Sequence, residues 1–280
     1  MRGLLNLKVA YLGPKGTFSE EAAIRYYSDA SIEPIMYKDI LDVLEAVSEE
    51  QVDKGIVPIE NAIEGTITMT TDGLVNNDVW VEGEAVLPVK LQLLGVKGAL
   101  LENVKEVWSI PPALAQCRNF TRELQVETKH YSSTAGAAET LRDEGRLDVG
   151  AVASEWAAKT FGLDVLARDI HDNNCNSTRF LVLTKKQIAD VQTAAKSMLL
   201  ITPTEDRPGL LAIILNVFSS LGVNLTWIES RPTKKKLGTY RFFIEAAMGI
   251  QETNLQKAIA ILETYGYHVR VLGSYNTKKL

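Results

Sequence analysis

Cysteine and histidine are scarce in this 280-residue chain: there are two cysteines, Cys117 and Cys175, and three histidines. Two cysteines build no disulfide framework and show no zinc-ligand spacing, so no metal is expected and a reducing cytoplasm is the natural setting. Long apolar runs are missing as well. No stretch approaches the roughly 18 consecutive apolar residues of a membrane span. The opening segment carries one arginine and breaks at Gly13-Pro14, which does not read as a signal peptide. Excess positive charge is also absent: 30 Lys+Arg stand against 35 Asp+Glu, a net charge of -5. The one basic cluster, Lys234-Lys235-Lys236, reads as a solvated hairpin loop, so no nucleic-acid partner is expected. The Gly-Lys-Ser/Thr ending of a phosphate loop is missing too.

What is present is apolar residue in quantity, 46% of the chain, enough for two domains with separate cores. Residues 7–12 alternate as a strand, Gly13-Pro14-Lys15-Gly16 turns the chain, and Thr17 with Glu20 fits a capping box opening a helix to about Tyr27. A strand at 34–37, a helix at 39–49 and a buried strand at 54–59 follow, the last running into Glu60-Asn61-Ala62. Residues 79–96 read as extended segments crossing into a second lobe. There, strands at 105–109, 126–130 and 148–153 alternate with helices at 113–124, 135–144 and 155–161. Strand ends at Gly13, Glu60, Ser109 and Ser132 each present hydroxyls, amides or helix N–H groups. In α/β sheets ligands bind beyond such ends, so a cleft of neutral donors suited to a small anion with more than one carboxylate is expected.

The stretch that gathers the most chemistry is Asn173-Asn174-Cys175-Asn176-Ser177-Thr178-Arg179-Phe180, where a polar loop enters a short apolar strand. A rigid strand end holds a reactive group well, although a polar loop capping an ordinary strand reads the same. A charged, alanine-rich segment, 184–196, leads to a different pattern. Strand 197–202, helix 210–221, strand 224–230, strand 239–248, helix 253–265 and strand 268–272 give βαββαβ, the ferredoxin-like layout, with no catalytic constellation.

Several blocks together resemble the prephenate dehydratase family: Gly13 to Ala23, Val57-Pro58-Ile59-Glu60-Asn61, Ala113-Leu114-Ala115-Gln116-Cys117 and Asn176-Ser177-Thr178-Arg179-Phe180. Pro208-Gly209-Leu210-Leu211-Ala212 and Glu229-Ser230-Arg231-Pro232 resemble that family's regulatory ACT domain. The resemblance covers nearly the whole chain. It implies a two-lobed α/β catalytic domain, periplasmic-binding-protein-like with a cleft between lobes, over 1–186, followed by an α+β ferredoxin-like ACT domain over 197–275. Lobe 1 would comprise about 1–78 and 165–186, and lobe 2 about 79–164. The implied reaction converts prephenate to phenylpyruvate, without a cofactor, in phenylalanine biosynthesis.

Carried onto this chain, the resemblance makes Thr178 the catalytic hydroxyl with Arg179 beside it in the site; a guanidinium can pair bidentately with a carboxylate, so Arg179 is expected to be catalytic by binding the side-chain carboxylate or orienting Thr178. Thr17, Phe18, Ser19, Asn61, Ser109, Gln116, Ser133, Thr134, Asn176, Ser177 and Phe180 would line the substrate cleft. Gly209, Leu210, Leu211, Ala212, Asn224, Glu229, Ser230, Arg231 and Pro232 would hold L-phenylalanine as feedback inhibitor at a subunit interface of a homodimer or homotetramer. The chain departs from the family at Ala62, Leu91, Ile110 and Pro112, where serine, histidine, histidine and glutamine are common; the two lost imidazoles argue against a histidine base. Arogenate dehydratase and a non-catalytic sensor of aromatic metabolites remain as rival readings. His130 and His268 read as surface or structural residues, and His171, in the loop before Thr178, as loop packing or tuning of the site.

Overall fold

The protein is represented by a computed structural model that describes residues 6–173, 175–187, 193–205, 207–234 and 236–280. Asn174 of the central loop, 188–192 of the connecting segment, Asp206 of the turn before the last domain's first helix, and Lys235 of the basic loop lie outside the described residues.

The first lobe is wound from β1 (Leu7–Leu12), α1 (Phe18–Tyr26), β2 (Ile32–Tyr37), α2 (Ile40–Ser48), β3 (Lys54–Asn61), β4 (Gly65–Thr66), α3 (Thr68–Asn76) and β5 (Trp80–Pro88). The helices form where the sequence supplies ends and stripes. Asp39 caps α2 by accepting from Leu41 N at 2.8 Å, and Ile40, Val43, Leu44 and Val47 give it one buried face. The chain then crosses to a second lobe: β6 (Gln92–Gly95), a 3-10 turn, β7 (Glu106–Ser109), α4 (Pro111–Gln116), α5 (Arg118–Glu123), β8 (Glu127–His130), α6 (Thr134–Glu144), β9 (Val149–Ala153), α7 (Glu155–Phe161) and β10 (Asp164–Ala167). Its sheet has the order β10-β6-β9-β7-β8. β11 (Ser177–Thr184) returns to the first lobe and inserts between β3 and β5, antiparallel to both.

The last domain is β12 (Lys196–Pro203), α8 (Leu210–Ser220), β13 (Leu225–Pro232), β14 (Tyr240–Ala246), α9 (Thr253–Thr264) and β15 (Tyr267–Tyr275), which is βαββαβ, followed by β16 (Thr277–Lys279). Its sheet does not stand apart. Gly273 of β15 lies beside Val81 of β5, and β16 runs along β5 at Thr277↔Glu84, so the order β13-β14-β12-β15-β5-β11-β3-β1-β2 is one continuous sheet. Gly273 makes the junction: a Cβ there would sit 2.0 Å from the Val81 carbonyl oxygen. One face of β11 contributes Phe180 and Val182 to the core under α1. The other contributes Leu181 and Leu183 to a core shared by α2, α3 and the ferredoxin-like residues Trp227, Phe243, Leu272 and Tyr275.

Three sequence expectations change. Residues 80–88, expected in lobe 2, form a central strand of the first sheet, because β5 pairs with β11 over its whole length. Residues 164–167, expected to lie largely in lobe 1, pair with β6 in the second sheet. The helix expected over 113–124 is two short helices separated at Cys117.

Candidate active site

Thr178 stands where β11 leaves the loop, directly opposite Asn61 at the end of β3. It is buried, with 8% of its surface exposed. Its hydroxyl accepts a hydrogen bond from Asn61 Nδ2 at 3.1 Å. The Asn61 amide is itself fixed: its Oδ1 accepts from the backbone N–H groups of Ile63 and Glu64 at 3.0 and 3.1 Å, so the NH2 must face Thr178. The same Nδ2 donates to Asn176 Oδ1 at 2.9 Å, and Asn176 Nδ2 donates to Gln116 Oε1 of the second lobe at 2.7 Å. A chain of amides therefore runs from the β3–β4 turn to Thr178 and across the lobes to α4. Since Thr178 Oγ1 accepts from Asn61, its own hydrogen is left for donation outward. The Asn61 donor would also stabilise negative charge on Oγ1 as that proton leaves.

The cleft walls are held by residues acting on backbone. Thr17 caps α1, accepting from Glu20 N at 3.3 Å and donating to the Leu12 carbonyl at 3.1 Å. Ser133 caps α6, accepting from Gly136 N at 2.9 Å, and Thr134 begins that helix. Ser19 is buried in the first turn of α1, and Phe18 packs against the cores of both lobes. Ser177 is half-buried, and its carbonyl accepts from Ala62 N at 2.9 Å. Leu91, Ile110 and Pro112, where the family differs, fall at a buried core position, at the N-cap of α4 and at its second residue. Leu91 N donates to His171 Nδ1 at 3.4 Å, which gives that histidine a packing role.

Two expected cleft residues point elsewhere. Ser109 is fully buried, and its hydroxyl donates to the Val152 carbonyl at 2.7 Å, tying β7 to β9. Phe180 is 1% exposed in the core under α1. Arg179 is displaced further still. Successive side chains on a strand face opposite ways, so Arg179 leaves the sheet on the side away from Thr178. Its Nη1 donates to Glu60 at 2.9 Å, and its Nη2 to Glu84 at 2.7 Å and to Glu245 of the ferredoxin-like domain at 2.6 Å. Lys196 meets Glu84 at 2.9 Å and Glu245 at 3.1 Å, while Thr226 and Tyr275 donate to Glu245. Burial opposes charge on the Arg179 guanidinium, but Glu245 and Glu84 outweigh it and raise its pKa. Burial likewise works against the Glu245 carboxylate, and Arg179, Thr226 and Lys196 overcome it, holding its pKa below the usual range. A guanidinium held by three carboxylates has no fork free for a substrate.

A second cluster joins the lobes. Glu20 is buried and accepts from Gly16 N at 2.7 Å, from Trp156 Nε1 of α7 at 2.9 Å and from the Tyr11 hydroxyl at 3.0 Å. Gly16 lies against Phe161, 2.7 Å from where a Cβ would sit. Burial, then the Glu20 charge, raises the Tyr11 pKa. The capping-box spacing pointed to Glu20, but not to its partner 136 residues away.

The expected effector residues fall in two groups. Gly209 begins α8 in the left-handed region, and Leu211 and Ala212 are exposed beside it. A cavity of about 230 Å³ at this end is lined by Thr204, Arg207, Leu210, Tyr265 and Tyr267, without Asn224 or residues 229–232. Glu229 and Arg231 turn to the catalytic domain instead. Glu229 Oε2 accepts from Thr66 Oγ1 at 2.9 Å, and Arg231 forms a fork on Asp72 with both contacts at 3.1 Å. Ser230 is exposed on the free edge of the long sheet, as is Asn224 just before it.

Residues 9–188 match the family model for prephenate dehydratase, and 204–264 that for the ACT domain. The chain belongs to the prephenate dehydratase family. It is 41% identical over 272 residues to a bifunctional chorismate mutase/prephenate dehydratase of Aquifex aeolicus, covering 96% of this chain and 73% of the relative. It is 36% identical over 278 residues to arogenate dehydratase/prephenate dehydratase 2 of Arabidopsis thaliana, covering 96% and 72%. The crystal structure of a prephenate dehydratase from Arthrobacter aurescens in complex with L-Phe superposes with a TM-score of 0.88 at 34% identity, covering 96% of this chain and 90% of that one. Among the described residues no cluster of three or more His, Cys, Asp or Glu has metal-holding geometry, and no helix is long and apolar enough to cross a membrane.

Proposed function

We propose that the chain is a cofactor-independent prephenate dehydratase, carrying out the decarboxylative dehydration of prephenate to phenylpyruvate with Thr178 as general acid. The observation that carries this reading is the Thr178 hydroxyl held as an acceptor by Asn61, which leaves its proton to be given away. In the reaction the C–O bond to the ring hydroxyl breaks as Thr178 protonates the leaving oxygen. The bond to the ring carboxylate breaks at the same time, and its electron pair enters the ring, so water and carbon dioxide depart and the ring becomes aromatic. Thr178 recovers its proton from solvent. Aromatisation drives the step, so a weak acid suffices, and such assistance contributes roughly 10²- to 10⁴-fold. Asn176 and Gln116 supply neutral donors beside it, with Gln116 Nε2 unengaged among the described residues.

L-phenylalanine is the effector this reading assigns to the ACT domain, supported by the ACT match and by the relative solved in complex with L-Phe. The cavity beside the Gly209–Ala212 turn is lined without Ser230, and Ser230 sits on a free sheet edge that invites pairing. The effector site is therefore read as completed by a second copy, in a dimer or tetramer. Two unpaired cysteines favour a cytoplasmic setting.

The test is phenylpyruvate formation from prephenate, with arogenate assayed in parallel, for the parent and for Thr178→Val. The valine variant is expected to fold and to lose at least about a hundredfold in kcat. Equal activity in both would remove Thr178 from the mechanism. Turnover of arogenate alone would reassign the substrate, and a folded parent inert to both would favour a sensor.

A further inference from the structure

β13 is the edge strand of the long sheet, and its two faces do different things. Ile228 and Ser230 are exposed. Trp227, Glu229 and Arg231, alternating with them, meet the catalytic domain. Trp227 lies in the core shared with Leu181 and Leu183 of β11. Arg231 grips Asp72 of α3, with Lys234 adding a contact at 2.9 Å. Burial opposes the Asp72 carboxylate, but these two cations hold its pKa below the ordinary value. Glu229 takes the Thr66 hydroxyl.

The position of Thr66 gives that last bond its meaning. Thr66 is half of β4, which pairs with the end of β3 at Glu60↔Thr66 and Asn61↔Gly65. The turn between these two strands supplies the Ile63 and Glu64 N–H groups that hold Asn61, and Asn61 holds Thr178. From the Glu229 carboxylate to the Thr178 hydroxyl there is thus one side-chain hydrogen bond, one short hairpin and one amide. A shift of β13 along its own axis pulls on Thr66, and among the described residues the hairpin has no other hydrogen bond to the ACT domain. We propose that the Thr66–Glu229 hydrogen bond transmits effector occupancy of the ACT domain to the orientation of Asn61 and hence of Thr178. Glu229 acts as a transmitter facing the catalytic domain, and effector contacts fall to the exposed face of β13. This inference rests on phenylalanine being the effector, as read above.

Thr66→Val keeps the shape of the side chain and removes the donor. Phenylalanine binding is measured by titration calorimetry, and inhibition is measured as prephenate turnover against phenylalanine concentration, on the 280-residue parent, Thr66→Val and Thr66→Ser. Coupling between sites is commonly worth about 5- to 150-fold in affinity. Thr66→Val is therefore expected to bind phenylalanine within about twofold of the parent while half-inhibition moves at least about tenfold upward. Thr66→Ser, which restores a hydroxyl, should behave as the parent. Binding and inhibition both unchanged in Thr66→Val would overturn the proposal. Loss of binding in step with inhibition would overturn it too, by making this face part of the effector site. If Thr66→Val does not fold, Glu229→Met breaks the same bond from the other side and is read in the same way. A parent that neither binds nor responds to phenylalanine would instead refute the regulatory reading, and the coupling with it.

Discussion

Arg179→Met separates the two roles an arginine beside the catalytic threonine can have. In the parent its guanidinium, 17% exposed, lies between Glu60, Glu84 and Glu245, and the last two carboxylates are 1% and 0% exposed. Methionine fills the space and leaves Lys196 as the cation bridging Glu84 and Glu245. Breaking a buried ion pair from one side costs about 3–5 kcal/mol. At about 2–4 °C per kcal/mol for chains of this size, the melting midpoint should fall by roughly 6–20 °C. The deficit should depend on pH. In the parent the Glu245 pKa is depressed, so its contribution is present above the unfolded carboxylate pKa of about 4.3 and is lost as pH falls through the folded value. The variant lacks Arg179, the charge that does most to depress the Glu245 pKa, so this contribution is missing from it. The gap between parent and variant should therefore be small near pH 4 and full by about pH 7. Scanning calorimetry across pH, with prephenate kinetics at a temperature where both proteins are folded, checks this. KM should stay within about twofold of the parent, because the guanidinium faces away from Thr178. A variant that melts with the parent but shows KM raised tenfold would refute the reasoning and return Arg179 to the substrate.

Ser109→Ala leaves the buried Val152 carbonyl without its donor, so it should cost about 1–3 kcal/mol in denaturant unfolding while leaving kcat and KM unchanged. A raised KM would restore Ser109 to the cleft. Gly273→Ala places a methyl 2.0 Å from the Val81 carbonyl oxygen and must prise β15 from β5. A loss of about 1–3 kcal/mol in thermal unfolding is expected, together with weakened phenylalanine inhibition at temperatures where the variant is folded. Unchanged stability would show that the sheet junction is dispensable.

Local signals read well from the sequence. Thr17 before a glutamate three residues on proved to be a cap, and Asp39 and Ser133, read as the start of a helix and as a cleft residue, are caps as well. The βαββαβ order was legible because each of its elements carries its own periodicity. Asn61, Asn176 and Gln116 were named from resemblance, and the structure brings them together around Thr178. The failures have physical causes too. Arg179 follows Thr178 in a strand, and the two-residue period alone puts it on the opposite face; that signal was available in the run that follows it. Ser109 looked like a site residue because hydroxyls at strand ends also close strands onto one another. α3 gave no helical signal, since Thr70, Thr71 and Gly73 are poor helix formers. Its Gly73 instead lets α2 approach, with Leu44 Cδ1 2.9 Å from where a Cβ would be. β5 was assigned to the wrong lobe because its partners in the sheet, β11, β15 and β16, lie about a hundred residues or more away along the chain.

The shared sheet has a consequence for dissecting this protein by truncation. β5 is an interior strand because β15 and β16, both beyond the ferredoxin-like helices, cover one side of it. A fragment ending near residue 187 would lose more than a regulator. It would bare the backbone donors and acceptors of β5 along its length, and it would strip Glu245 and Lys196 from Glu84 and Arg179. Such a fragment should be sticky and short-lived for reasons unrelated to effector binding. Exchange of regulatory domains between relatives would have to carry the β5-facing residues of both partners as one unit.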